Sequence, residues 1–322
     1  MKTILDTIGN TPLVRLQKIN PNPLLSILMK LEFFNPSASI KDRMVLHMIE
    51  KGEQSGALKA GGTIIEATSG NTGASLAMIG AIKGYRVILV VSEKVSQEKQ
   101  NTLKAYGAKV VVTPSGVPSD SPDYYVNVAK RLVKETPGSF QLDQYDNPIN
   151  PEAHYLSTGP EIWEQTKGKI DYFVASGSTG GTISGVGRYL KEKNPKIQIV
   201  LADPVGSIFY DYFKKGKIPK GALGSKYIEG IGQNHLTGAI DFSVIDDVIQ
   251  VPEKEALAVG LSLAQKEGIL AGGSSGANVW AALEIGKQVK GKATIVTVLP
   301  DSGLKYLSKM YDPEWLKKQG LL

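Results

Sequence analysis

Residues 63–92 read TIIEATSGNTGASLAMIGAIKGYRVILVVS. The run Thr63-Ile64-Ile65-Glu66-Ala67 has the composition of a buried strand, and 87–92 (VILVVS) has that of a second. Between them lie the loop Thr68-Ser69-Gly70-Asn71-Thr72-Gly73 and an Ala-rich helical segment over 74–83. Strand, loop, helix and strand in that order make the repeating unit of a parallel sheet. The pattern recurs outward in both directions. Residues 25–31 and 110–113 read as strands, and a helix is expected near 125–135. Residues 172–176 (YFVAS) lead through a glycine loop into a helix ending near Asn194, and 198–202 and 294–299 are further strands. Apolar strands alternating with helices predict an α/β protein whose parallel sheets are covered on both faces.

Two units are expected, one centred on 62–145 and one running from about 148 to the end. In finer division, 46–147 forms a smaller, mobile domain. Residues 1–45 and 148–322 form a larger one, with some crossover of the N-terminal segment. The Pro/Ser-rich stretch 113–123 reads as an exposed loop, and 210–227 as a mobile or irregular insertion.

The 322 residues contain no cysteine, which excludes disulfides, thiolate nucleophiles and every Cys-based zinc or haem site. The three histidines, His47, His154 and His235, are far apart, which argues against a His-rich metal centre. The net charge of +6 comes from 37 basic and 31 acidic side chains that are mostly intermixed. The densest basic cluster, Lys214, Lys215, Lys217 and Lys220, is one short segment, so no nucleic-acid partner is expected. The apolar-leaning window 74–91 is broken by Lys83 and Arg86, and Asp6 and Asn10 stand where a signal peptide would be apolar. A cytoplasmic protein is expected.

Three loops carry glycine and hydroxyl residues at expected strand-to-helix junctions. They are 68–73, Gly177-Ser178-Thr179-Gly180-Gly181-Thr182, and Gly272-Gly273-Ser274-Ser275-Gly276. Free N–H groups at a helix start, with no side chain in the way, receive a phosphate or carboxylate. Several such loops suggest a site for more than one anionic group. No loop continues into the Gly-Lys-Ser or Gly-Lys-Thr of a nucleotide-binding P-loop. A dinucleotide oxidoreductase stays open as an alternative, with 177–182 as its loop and Asp203 as a ribose acid, although the glycine spacing is not G-x-G-x-x-G. The remaining signal is Ser37-Ala38-Ser39-Ile40-Lys41-Asp42-Arg43, which opens a helix through His47 and Ile49. A lysine at a helix N-terminus meets the positive dipole end, which disfavours its charged form. A Schiff-base lysine among anion loops is the arrangement that pyridoxal phosphate requires.

Together, S-x-S-I-K-D-R, T-S-G-N-T-G, G-S-T-G-G-T and G-G-S-S-G resemble the β-family of pyridoxal-phosphate enzymes, which includes cysteine synthase and cystathionine β-synthase. The match begins at Ile8-Gly9-Asn10-Thr11-Pro12 and runs in order across the chain. Asp143-Gln144-Tyr145, Asn150-Pro151, His154-Tyr155, 203–207, 229–232, 299–302 and the tail 311–322 are more similar to the cystathionine β-synthase branch. The resemblance implies a fold type II architecture of two α/β domains with pyridoxal 5'-phosphate in the cleft between them. It also implies a homodimer, and condensation of serine or an O-acyl-serine with homocysteine to give cystathionine. Cysteine synthesis from O-acetylserine and sulfide is the runner-up, and a catalytically idle scaffold of the same fold is a third option. Haem and regulation by an adenosyl ligand through a tandem module are not expected. Two departures stand out. Ser178 takes a position that is glycine in many relatives, and Gln233 follows Gly232 where animal synthases carry tyrosine.

By the same resemblance, Lys41 carries the cofactor and moves the Cα proton. Ser178, Thr179, Gly180, Gly181 and Thr182 cradle the phosphate. Ser274 faces the pyridine nitrogen as a neutral partner, which leaves the ring largely unprotonated and favours prompt elimination. Asn71 bonds the ring hydroxyl. Thr68, Ser69, Thr72 and Gln144 bind the substrate α-carboxylate, and Tyr145 and Gly230 lie on the substrate side. Asp203 and Glu229 are candidates for second-substrate recognition or for ion pairing. His47 and His154 are expected to be structural.

Overall fold

Short runs that are apolar on both faces form two sheets in the computed structural model, which describes residues 3–322 apart from Ser69, Ser119, Lys220 and Leu223. Ser69 of the expected carboxylate site and Lys220 of the lysine cluster therefore lie outside the described residues. In chain order the strands are β1 (Leu13–Arg15), β2 (Leu25–Leu31), β3 (Thr63–Ala67), β4 (Arg86–Ser92), β5 (Lys109–Thr113), β6 (Tyr172–Ser176), β7 (Gln198–Pro204), β8 (Asp247–Val251) and β9 (Ala293–Leu299). The helices are α1 (Lys41–Gln54), α2 (Asn71–Lys83), α3 (Gln97–Ala105), α4 (Tyr125–Glu135), α5 (Ile149–Leu156), α6 (Thr158–Thr166), α7 (Gly181–Lys193), α8 (Phe209–Lys215), α9 (Glu253–Ser262), α10 (Gly273–Gln288) and α11 (Pro313–Lys318).

The larger sheet has the order β1-β2-β9-β6-β7-β8, and the smaller has β3-β4-β5. Every pairing is parallel except β1 with β2. Alternation along the strands sorts their side chains onto two faces. From β9, Ile295 and Leu299 pack with α9 and α10, whereas Val296 and Val298 pack with α7. The smaller sheet is likewise double-sided. Ile64, Leu89 and Val91 meet Met44, Val45 and Met48 of α1 and Leu76 of α2, while Ile65, Ala67 and Val90 meet Val128 and Ala129 of α4. With both faces covered, the strands need no polar alternation, which is why they read as near-continuous apolar runs.

Three expectations need correction. Helix α2 starts at Asn71, not at residue 74, so Asn71, Thr72 and Gly73 form its first turn. The glycine-rich segment 272–276 does not leave a strand. It follows α9 and a π-helical turn (Leu263–Glu267), and Ala271 makes only an isolated bridge to Ser302. The stretch 210–227 begins as regular structure, because α8 extends to Lys215 before the chain becomes irregular.

A buried ion network fixes the start of α1. The Arg43 guanidinium donates to Glu32 through Nε (2.7 Å) and Nη2 (2.8 Å), and to Glu161 through Nη1 (2.6 Å) and Nη2 (2.8 Å). Lys30, fully buried, reaches Glu161 at 2.6 Å and donates to the Thr11 carbonyl at 2.7 Å. Burial pushes Glu161 up, but Arg43 and Lys30 together hold its carboxyl at about 2. Breaking one member strands a charge in a dry interior. Glu32→Gln is expected to lower stability by about 3–5 kcal/mol, read as a shift in the urea midpoint.

A second buried carboxyl ties the smaller sheet to the crossover that follows α4. Glu66, 4% exposed on β3, accepts the N–H of Leu142 (3.0 Å) and of Asp143 (3.3 Å). Burial raises it to about 7 despite those donors. Between the usual carboxyl range and pH 7 the folded chain therefore keeps a proton that the unfolded chain has released. Stability falls as pH rises through that window, by up to about 1.4 kcal/mol per pH unit. Glu66→Gln keeps an acceptor and removes the titration. Its melting temperature is expected to match wild type near pH 5 and to exceed it at pH 8.

Candidate active site

The C-terminal ends of parallel strands leave a crevice where open α/β sheets place ligands. Here the ends of β6 and β9, the first residue of α1 and the loop 177–182 line a small crevice. Lys41, Ser178, Thr179, Gly180, Thr182 and Gly230 line it, with Ser176, Ile231 and Asn278. The start of α1 is held against this crevice by the backbone, because Ile40 N–H donates to the Pro300 carbonyl at 2.8 Å and Ser39 bridges Asp301. Asp42 adds a side-chain anchor, accepting from Ser37 N–H (2.7 Å) and from the Ser75 hydroxyl on α2 (2.5 Å). Burial holds the Lys41 amine below the ordinary lysine range, with the Asp301 carboxylate opposing the shift. A lysine amine whose charged form is disfavoured at a pocket wall suits nucleophilic chemistry.

Opposite Lys41, α7 opens at the pocket, and its first turn has N–H groups without intrahelical acceptors. The Thr179 hydroxyl accepts from Gly181 N–H (3.3 Å) and from Asn150 Nδ2 (3.1 Å), while the Thr179 carbonyl accepts from the Thr237 hydroxyl (2.8 Å). The Thr182 hydroxyl lies 3.2 Å from His154 Nε2, and His154 Nδ1 lies 2.9 Å from the Thr158 hydroxyl. Burial keeps the His154 imidazole well below its usual range, so it stays neutral. This donor set, with a helix N-terminus and a depressed lysine across a small crevice, fits a phosphate-bearing aldehyde. The Ser176 hydroxyl on the crevice wall is buried without a partner among the described residues.

The two departures from the family pattern touch each other. Gln233 Nε2 donates to the Ser178 hydroxyl at 2.8 Å, and the Tyr145 hydroxyl lies close to both side chains. Gly230 stands nearby on the pocket wall. The expected carboxylate residues are partly assembled: the Thr72 hydroxyl donates to Gln144 Oε1 at 2.8 Å, and Thr68 is buried at the end of β3. Ser274 sits buried in the first turn of α10.

Asn71 is engaged at both ends. Its Nδ2 donates to Asp301 (2.7 Å) and its Oδ1 accepts from Lys305 (2.6 Å). Lys305 also donates to the carbonyls of Ser37 and Ala38, and the Tyr306 hydroxyl donates to Asp301. Burial holds the Lys305 amine below its ordinary range. This cluster escaped sequence reasoning because Asn71 and Asp301 are 230 residues apart. Asp203 is fully buried and accepts the Tyr210 N–H at 2.8 Å. Glu229 pairs with Lys99 of α3 (2.5 Å) and with Lys309 (2.6 Å), an ion triad between the two sheet systems. No group of three or more potential metal ligands occurs among the described residues, and no helix there is long and apolar enough to cross a membrane.

Comparisons with known proteins agree on this chemistry. A cystathionine beta-synthase of Apis mellifera is 45% identical over 324 residues, covering 100% of this chain and 64% of the relative. A cysteine synthase of Staphylococcus aureus is 42% identical over 306 residues, covering 95% of each. Among solved structures, O-ureido-L-serine synthase superposes with a TM-score of 0.88 at 37% identity, covering 97% of this chain and 96% of that one. The chain thus spans less than two thirds of the length of the cystathionine beta-synthases it matches. Residues 4–301 match the family described as pyridoxal-phosphate dependent enzyme. On that match and on the homologous relatives, the chain has the fold type II α/β architecture, its cofactor is pyridoxal 5'-phosphate, and it belongs to the pyridoxal-phosphate dependent enzyme family.

Proposed function

We propose that the enzyme joins L-serine or an O-acyl-L-serine to L-homocysteine, giving L-cystathionine by β-replacement. The supporting observation is the polar rim of Tyr145, Ser178 and Gln233 beside Gly230. Sulfide has no polar tail to recognise, whereas homocysteine brings an ammonium and a carboxylate that need partners of this kind. Relatives named cystathionine beta-synthase, which align with 99–100% of this chain, support the same reading.

Bound to Lys41, the cofactor supplies the electron sink that acidifies the substrate Cα–H and lets the β-substituent depart. The Lys41 amine, kept below its usual range by burial, takes the Cα proton and returns it after the thiol has added. The Cβ–O bond breaks and a Cβ–S bond forms, so water or the acyl acid leaves while the thiol gives up its proton. Thr72 and Gln144 hold the α-carboxylate together with Thr68 and Ser69. Asn71 and Ser274 orient the cofactor ring, Asn71 from its tether between Asp301 and Lys305. Residues 46–147 move as the smaller domain when the carboxylate binds. A cytoplasmic homodimer completes the proposal.

A second reading keeps every step and replaces homocysteine by sulfide. It is favoured by the cysteine synthase relative, which matches this chain at nearly equal length.

Lys41→Ala is expected to abolish the visible cofactor band and to lower turnover on the order of 10³-fold or more. The substrate pair is tested by absorbance and mass spectrometry. Adding L-serine or O-acetylserine should shift the band, and homocysteine should restore it with cystathionine as product. Restoration by sulfide alone would establish the cysteine-forming reaction instead.

A further inference from the structure

Helix α5 lies behind the anion loop, and two of its side chains four residues apart face that loop. His154 meets Thr182, as described above. Asn150, 1% exposed, does more: its Nδ2 donates both to the Thr179 hydroxyl (3.1 Å) and to the backbone carbonyl of Gln144 (2.7 Å). One carboxamide thus joins a phosphate-loop residue to a residue of the substrate-carboxylate site. The packing leaves little slack. A Cβ on Gly181 would stand 2.0 Å from Asn150 Oδ1, and one on Gly185 would stand 2.1 Å from the Pro151 carbonyl. Helices α5 and α7 therefore meet at a distance that fixes Asn150 against the loop.

The direction of these bonds has a chemical result. The Thr179 hydroxyl oxygen accepts twice, from Asn150 Nδ2 and from Gly181 N–H. A hydroxyl has two acceptor sites and one proton. With both acceptor sites taken, its proton is left to donate, and Thr179 lines the pocket. We propose that Asn150 is a positioning residue that turns the Thr179 hydroxyl into an obligate donor toward the bound phosphate and couples that loop to Gln144. The proposal rests on the reading of 177–182 as the phosphate cradle and of Gln144 as a carboxylate ligand. It is independent of which nucleophile the enzyme uses.

Asn150→Asp is close in volume but reverses the polarity. Its carboxylate accepts the Thr179 proton and faces the Gln144 carbonyl without a donor. The dissociation constant for pyridoxal 5'-phosphate, read by absorbance titration, is expected to rise at least about tenfold. The first amino acid should need a correspondingly higher concentration to shift the cofactor band. Because Asn150 acts through Thr179, Asn150→Asp added to Thr179→Ala should cost no further cofactor affinity. Asn150→Ser, too short to reach both partners, serves as the second variant, with far-UV circular dichroism confirming its fold. It should weaken cofactor and first substrate together. Wild-type cofactor affinity in a folded Asn150→Asp or Asn150→Ser protein would overturn the proposal. So would fully additive losses in the double variant, or a weakened first substrate alone. Cofactor and first-substrate affinities are both measured without turnover, so a failed assignment of the nucleophile leaves this test intact.

Discussion

Four charged side chains in a dry interior hold Lys41 in place. Arg43 lies two residues after Lys41, and its guanidinium is locked between Glu32, at the end of β2, and Glu161 on α6. Lys30 balances the count, giving two cations and two anions. Buried charges are tolerated only when paired and hydrogen-bonded, and here the planar guanidinium fork meets two carboxylates at once. A hydrophobic replacement of the whole set could pack as tightly, but it would not fix the rotation of α1 about its axis. Directional bonds at Arg43 fix it, and Lys41 is carried along by the helix.

Around that fixed lysine, the rest of the site is held by contacts that run between elements. The Asn71 carboxamide is suspended from Asp301 and Lys305, the loop 177–182 is backed by α5, and Glu229 links α3 to the C-terminal segment. Side chains at the crevice and beside it are thus oriented by neighbours packed behind them. Such preorganisation is how a protein avoids reordering its dipoles as charge develops.

Much of this was legible in the residues. The strand–loop–helix–strand pattern at 63–92 leads to the α/β class because doubly covered strands must be apolar throughout, and 63–67, 125–135 and 172–176 match the observed strand and helix bounds. Lys41 and the loop 177–182, singled out in the sequence because their residue types stand at helix starts, line one crevice in the fold. Misplacements have local causes. Helix α2 begins at Asn71 because Gly70 serves as its N-cap, so the polar loop is absorbed into the helix. The glycines at 272–276 resemble a strand-to-helix turn but follow another helix. Long-range pairs such as Asn71 with Asp301, Lys305 with Ser37, and Asn150 with Thr179 leave no periodic signature, since only the fold brings them together.

The smaller sheet has two rims, and they are treated differently. At β3 the backbone of Phe140 pairs with Thr63 and Ile65, so that rim is already occupied by the chain itself. At β5 nothing comparable pairs among the described residues, and three consecutive valines, 110–112, lie along it with Val112 48% exposed. An open β-rich ribbon of this kind is a template for strand addition between molecules. The protection is in the ends: the strand is five residues long, opens with Lys109 and runs into Pro114, which has no amide hydrogen to donate. Protection of this open rim against strand addition therefore falls to a lysine and a proline far from the crevice in sequence.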